Sequence, residues 1–445
     1  MGILSVLLIG WIAKKTIGEE TYWFLVAVVG GALLPPRGIF TPGAAPFVML
    51  LCTLALLTVA VYTEHITLRS AVPFAVVEML VYVVLTVAAK WPGLPLLKDN
   101  LYHIAQPWWR RNTGYVHRRL AGVSVEKFRA LREAGAVPAF GAMMEAAELG
   151  VQELTLERPA TRGGNLAVHL IAPRTESSTP RPLIVYIHGG GMVLSSAEDP
   201  GFAHLMTKPR SALCDVCAIA SVSYRLAPEH PFPCAADDVF ETLEWLLDPE
   251  RAAEHGYSTQ NVSVLGISAG ANLAAGLAVR AAKAGITITA QLLVIPMLKF
   301  GATTASYREF GDSCVLGTEK MIWFWEQYAA PHIMDNLKAA FPHVSREQNL
   351  LCCPGDVTVD EVRALRPNSD GSGGGVPLAP AIIVVGTHDP LRDEGREYAA
   401  TLQAAEVDTA LMELQGSHVG SIAFDTEGKR AFHVAAFEAI IRKSG

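Results

Sequence analysis

The sequence predicts an α/β protein: a mostly parallel sheet covered by helices on both faces, with a helical cap, preceded by N-terminal transmembrane helices. Three observations carry this expectation. Short apolar runs alternate with helix-favouring stretches from about residue 180 onward, the pattern of strands buried on both faces of a sheet. A Gly-x-Ser-x-Gly turn, Gly266-Ile-Ser268-Ala-Gly270, joins one of these runs to an Ala-rich helix. Two long runs with almost no charge stand near the N-terminus.

The N-terminal elements come first. The chain has 445 residues, and its mean hydropathy of +0.29 is high for a soluble enzyme. The excess lies in the first hundred residues, so residues 1–100 are expected to form a membrane-anchoring region. Pro46 to Thr63 carries no charge and is close to the roughly 20 residues that cross a bilayer. After a short loop with Glu64, His65 and Arg69, Ala71 to Ala89 is apolar apart from Glu78. Together these runs predict a membrane hairpin, with Glu78 neutralised by protonation or by a partner on the facing helix. The shorter runs 3–13 and 21–34 are further membrane segments or interfacial ones. Lys14 and Lys15 follow the first run instead of preceding it, so it does not read as a cleaved signal peptide.

Trp91, Lys98, Trp108, Trp109, Arg110, Arg111, Arg118 and Arg119 follow the hairpin. Tryptophans beside basic residues suit a membrane–water interface, and the positive-inside tendency places the downstream domain on the cytoplasmic side. Residues 101–150 are expected to be juxtamembrane and cap helices, with helix over Glu126 to Gly150 broken at Pro138. Strands are expected at Leu183–Ile187, Val216–Val222, Val262–Ile267, Leu292–Ile295, Ile382–Val385 and Thr409–Leu414. Helices are expected at Ala235–Leu247, Ala269–Ala284, Arg392–Ala405 and Lys429–Arg442. A cap insertion spans about 300–345 and contains the aromatic run Met321-Ile-Trp-Phe-Trp325, an expected packing surface. Residues 366–375 form a Gly/Ser-rich surface loop.

Composition excludes other classes. The net charge of −7 is spread over both signs, so no nucleic-acid partner is expected. Seven cysteines follow no regular spacing, which argues against a disulfide-stapled secreted fold. Cys214 and Cys217 have no second pair to complete a zinc site; they and Cys352-Cys353 are expected to be small core residues. Neither pair points to a metal site.

The chemistry centres on Ser268. The two flanking glycines leave room for a sharp strand-to-helix turn that lifts a serine hydroxyl to the top of a sheet. A hydroxyl becomes a working nucleophile when a base takes its proton and a carboxylate holds that base. In an open parallel sheet those partners belong in loops at the carboxyl ends of later strands. Asp389 and His418 both follow predicted strands. The order Ser268, Asp389, His418 is the one expected of an α/β-hydrolase. Asp393 falls inside the next helix and is expected to pair with Arg392 or Arg396, His388 lies too near the acid, and His433 is helical.

His188-Gly189-Gly190-Gly191 ends the strand at Ile187. Three successive glycines cost backbone entropy, and make sense where the backbone must come close to a partner. For acyl transfer that partner is an oxyanion, bound by the N–H groups of Gly189, Gly190 and Ala269. His188 is expected to hold this loop by hydrogen bonding.

These motifs, together with Tyr224-Arg-Leu-Ala-Pro-Glu-His-Pro-Phe-Pro233, Asp237-Asp238 and Asp389-Pro-Leu-Arg-Asp-Glu-Gly395, resemble the hormone-sensitive-lipase family of α/β-hydrolases in its arylacetamide deacetylase-like branch. The resemblance covers about Gly150 to the C-terminus, so residues 151–445 are expected to be the catalytic domain. It implies a cofactor-free esterase with Ser268, Asp389 and His418 as triad and Gly189, Gly190 and Ala269 as oxyanion hole. With a membrane anchor, its substrates are expected to be lipophilic small-molecule esters, and an endoplasmic-reticulum membrane is one location such an anchor allows. Amide cleavage by the same triad and a non-catalytic ligand receptor on this fold stay open. The chain departs from the family pattern at Ile267, where an acidic or small polar residue is usual, at Ala271, where glycine is usual, and at Val419-Gly420 after the histidine. Ile267 is expected to make the elbow drier. Asn261-Val-Ser263 is a glycosylation sequon, but it opens a buried strand and is not expected to be modified.

Overall fold

The computed structural model describes residues 125, 140–198, 202–203, 213–301, 303–311, 316–329, 345–366 and 375–418. All of them lie in the unit Trp109–Gly445. The anticipated spans at 3–13, 21–34, 46–63 and 71–89 lie outside the described residues, as do the helix at 429–442 and most of the loop at 366–375. Among the described residues, no helix is long and apolar enough to cross a membrane.

Eight strands form one sheet: β1 Leu149–Leu156, β2 Leu166–Pro173, β3 Arg181–Ile187, β4 Ala218–Val222, β5 Tyr257–Ile267, β6 Gln291–Val294, β7 Ala381–Gly386 and β8 Thr409–Leu414. Their spatial order is β1-β2-β4-β3-β5-β6-β7-β8. Strands β3 to β8 pair in parallel, while β1 and β2 add an antiparallel edge. Among the described residues the helices longer than one turn are α1 Phe140–Ala146, α2 Cys234–Leu246, α3 Pro249–His255, α4 Ala269–Lys283, α5 Ala305–Phe310, α6 Thr318–Tyr328, α7 Arg346–Cys352, α8 Val359–Arg363 and α9 Arg392–Ala404.

The two-residue period of a strand sorts its side chains between two cores. Leu183, Val185 and Ile187 of β3 enter the larger cluster with side chains of α2, α4 and α9. Ile184 and Tyr186, on the other face, pack with Phe140 and Met144 of α1 and with Phe202. Burial on both faces is what makes the parallel strands read as unbroken apolar runs. Helix α4 is buried almost all round, and its Ala and Gly side chains let it approach the sheet closely.

Three expectations are corrected. The helix expected to reach Gly150 ends at Ala146, because Glu148 turns the chain at φ 59° and Leu149–Gly150 already pair with β2. Strands β1 and β2 were not anticipated. The fourth strand begins at Ala218, two residues later than expected, since Val216 closes a one-turn helix, Leu213–Val216, and is exposed. Cys217, Cys352 and Cys353 are buried, as a core role requires. Asn261 lies half-buried within β5, and Ser263 of its sequon is buried.

Candidate active site

Strand β5 ends at Ile267, and α4 begins at Ala269. Ser268 alone makes the turn, at φ 57° and ψ −117°. A non-glycine residue there stores about 1–3 kcal/mol of strain, so neighbours must hold it. The Ser268 N–H donates to the Val294 carbonyl at 2.8 Å, and the Met297 N–H donates to the Ser268 carbonyl at 3.3 Å. Both partners come from the end of β6 and the loop behind it. The flanking glycines have no room for a side chain. A Cβ on Gly266 would lie 2.2 Å from the Gly270 carbonyl oxygen, and one on Gly270 would lie 2.0 Å from that of Ile187.

The acid and the base arrive on neighbouring loops. After β7, the His388 N–H donates to the Gly416 carbonyl at 2.9 Å, and the Gly416 N–H donates to the Thr387 hydroxyl at 3.1 Å. These bonds zip the loop after β8 to the loop after β7, bringing His418 beside Asp389. His418 Nδ1 lies 2.8 Å from Asp389 Oδ2, and its Nε2 lies 3.0 Å from Ser268 Oγ. Asp389 is completely buried, His418 nearly so, and the other Asp389 oxygen accepts from the Leu391 N–H at 2.9 Å. A carboxylate accepting from Nδ1–H leaves Nε2 as the acceptor for the serine O–H. The arrangement is therefore set up to move a proton from Ser268 to His418. Asp393 stands apart, bonded to Arg392 at 2.8 Å and to Arg396 at 3.2 Å, as its helical position implied.

The glycine loop lies against the serine turn. A Cβ on Gly189 would sit 2.8 Å from the Ile267 carbonyl oxygen and 3.3 Å from Ser268 Cβ. Gly190 and Gly191 take φ 111° and 66°, a region that disfavours side chains. Ala269 is the first residue of α4, where N–H groups lack intrahelical acceptors. His188 Nδ1–H points at the Gly189 carbonyl over 2.8 Å. The Tyr224 hydroxyl donates to the His188 carbonyl at 2.8 Å, with the two rings stacked at 4.2 Å. His188 thus fastens the loop and faces Tyr224, which opens the Tyr224–Pro233 stretch. That stretch is anchored in turn by Asp238, which binds Arg225 at 2.7 Å and Arg158 at 2.6 Å.

Helices α5 and α6, between β6 and β7, pack against two loops of the site. The Phe324 ring of α6 occupies the space a Cβ on Gly191 would need, and Phe310 of α5 meets the His388 ring edge-on at 5.5 Å. The aromatic run of α6 is therefore packing, as expected. One residue, quoted only as part of the Asp389–Gly395 motif, had no role assigned from the sequence: Glu394, completely buried in the first turn of α9. Its signal was present in the spacing, because Leu391, Glu394, Tyr398 and Leu402 fall on one helical face and the other three are apolar or aromatic core residues.

A serine on a strand–helix elbow, with a histidine and a buried carboxylate in line behind it on this sheet, defines an α/β-hydrolase. The match to known families agrees: residues 184–421 fit a family described as alpha/beta hydrolase fold, and the chain belongs to it. Among curated relatives, esterase LipI of Mycobacterium tuberculosis is 30% identical over 262 residues, covering 58% of this chain and 71% of that protein. Arylacetamide deacetylase of Oryctolagus cuniculus is 34% identical over 172 residues, but the match spans only 38% of this chain and 43% of that protein. Among solved structures, a hyperthermophilic esterase from the archaeon Pyrobaculum calidifontis superposes with a TM-score of 0.57 at 26% identity, covering 76% of this chain and 99% of that one.

Proposed function

We propose that this chain is a membrane-anchored serine hydrolase that cleaves carboxylic esters of lipophilic small molecules. The observation that carries the reading is the line Ser268 Oγ, His418 Nε2, His418 Nδ1, Asp389 Oδ2, with contacts of 3.0 and 2.8 Å. His418 takes the Ser268 proton as Oγ attacks the ester carbonyl carbon, and Asp389 steadies the imidazolium that forms. The negative charge on the carbonyl oxygen is met by the N–H groups of Gly189, Gly190 and Ala269. Collapse expels the alcohol, which takes the proton from His418, and water then hydrolyses the acyl-enzyme with His418 as base.

The esterase names of the relatives support ester cleavage, and the deacetylase match supports an amide-cleaving variant by the same steps. The apolar runs Pro46 to Thr63 and Ala71 to Ala89 support the anchor, and the basic cluster after them favours a cytoplasmic catalytic domain. Lipophilic substrates follow from that location. A serine-directed phosphonate should label the wild type and leave Ser268→Ala unlabelled, with ester and amide turnover measured across acyl lengths on both. Turnover that survives Ser268→Ala would sink this mechanism. Labelling of neither protein in native membranes would favour a ligand receptor.

A further inference from the structure

The loop that follows β6 reaches both sides of the candidate site. Three successive residues donate their backbone N–H groups: Met297 to the Ser268 carbonyl at 3.3 Å, then Leu298 and Lys299 to Glu394 Oε2 at 2.6 and 3.0 Å. Glu394 sits in the turn directly after the Asp389 loop, whose Leu391 N–H binds Asp389 Oδ1. One carboxyl group therefore links the loop holding the nucleophile's backbone to the loop holding the acid. Ile295, at the root of this loop, takes φ 44°, a costly conformation for a β-branched residue, so the loop needs bracing from outside.

We infer that Glu394 is a positioning residue, a brace that sets the separation of the Ser268 turn and the Asp389 loop and so keeps His418 in line between them. The inference rests on the serine-hydrolase reading above. The Tyr307 hydroxyl of α5 lies beside the same carboxyl and interacts with it. Burial pushes the Glu394 carboxyl up to about 8; the Leu298 and Lys299 N–H groups and Tyr307 oppose this, and the charge of Asp389 adds to it. The other titratable groups nearby are occupied elsewhere. Lys299 Nζ pairs outward with Glu397 at 2.6 Å, Asp356 lies near Lys299, and Asp393 is held by Arg392 and Arg396. Burial thus favours the protonated form of the brace near neutral pH. Its ionisation would strengthen the bonds from Leu298 and Lys299 but set a second buried negative charge beside Asp389, a repulsion that acts on the acid loop.

Steady-state hydrolysis of a p-nitrophenyl ester of a short acid, by the full chain in detergent, tests this between about pH 6 and pH 9. Glu394→Gln keeps an oxygen for the two N–H groups and cannot ionise. It should stay within about threefold of wild-type kcat/KM near neutral pH and lack the alkaline fall that wild type shows around the Glu394 titration. Glu394→Ala should lower kcat by about tenfold or more with KM changed less than about threefold. An alkaline limb shared by wild type and the Gln variant would overturn the inference, as would an Ala variant with wild-type kcat. Should the Ala variant not fold, the Gln profile decides alone. Ser268→Ala run alongside separates the two questions, since turnover there refutes the underlying reading whatever the Glu394 variants do.

Discussion

Asp389→Asn is the substitution whose consequence the hydrogen bonds define most sharply. Asn is nearly isosteric with Asp, so packing around this fully buried position is retained. Its two ends, however, are no longer equivalent. The Leu391 N–H points at one side-chain oxygen from 2.9 Å, so the Asn carbonyl must take that side and the NH2 must face His418 Nδ1. Flipping the amide would leave two donors opposed in a buried site, at about 1–3 kcal/mol. With a donor against Nδ1, His418 must carry its proton on Nε2, facing Ser268 Oγ, where it cannot accept. The wrong tautomer in such a triad lowers kcat about 10⁴-fold, or about 5.5 kcal/mol of transition-state stabilisation. Ester turnover and thermal melts of the two proteins measure this, with KM and Tm expected to change little. A kcat within about tenfold of wild type in a folded Asp389→Asn protein would refute the assignment of Asp389 as the residue orienting His418.

Three further outcomes follow from the geometry. Gly189→Ala forces a Cβ to 2.8 Å from the Ile267 carbonyl oxygen; moving the loop should cost about 10²–10³ in kcat, the loss of one oxyanion donor, against a smaller effect on KM. Asp238→Asn removes the charge shared by Arg158 and Arg225 and should lower urea-unfolding stability by about 3–5 kcal/mol, as expected when one partner of a buried ion pair is lost. Glu394 should leave its mark on stability as well as on rate. Its folded carboxyl is raised from 4.5 to about 8, so between those values the unfolded chain releases a proton that the folded chain keeps. Stability must then fall with rising pH across that window, by at most about 5 kcal/mol. Urea unfolding of Glu394→Gln should show a gain over wild type that grows from pH 5 toward pH 8, and a constant difference would contradict the burial argument.

The parallel centre of the sheet was legible because each strand is buried on both faces and must be continuously apolar. β3, β5, β6 and β7 fall at or within a residue or two of their expected positions, apart from the N-terminal extension of β5 to Tyr257. β1 was hidden for the converse reason. At the sheet edge Val151, Gln152 and Glu153 stay exposed in a row, so no continuous apolar run marks the strand, and Leu149 extended the helical periodicity of Phe140–Ala146. Pairing with β2 across the sheet overrode that local preference, as tertiary context often does. The turn at Ser268, the acid loop and the His418 loop could be located from strand ends and chain order. For Glu394 the helical spacing carried its burial but not its partners, because these are the backbone N–H groups of Leu298 and Lys299, and main-chain donors leave no trace in residue identity.

The crowding at the elbow also decides which letters of the motif are free to drift. Any side chain at 266 or 270 would run into the carbonyl of Gly270 or Ile187, so those positions are closed whatever the substrate. Ile267 is different: its side chain lies partly buried in the cluster of Ile184, Val294 and Val384, on the sheet face opposite α4. Position 267 carries a side chain on that face, where 266 and 270 have no space for one. The departure at Ile267 therefore falls at the one position of the elbow whose side chain answers to core packing, so polar replacements there would act first on the cluster of Ile184, Val294 and Val384.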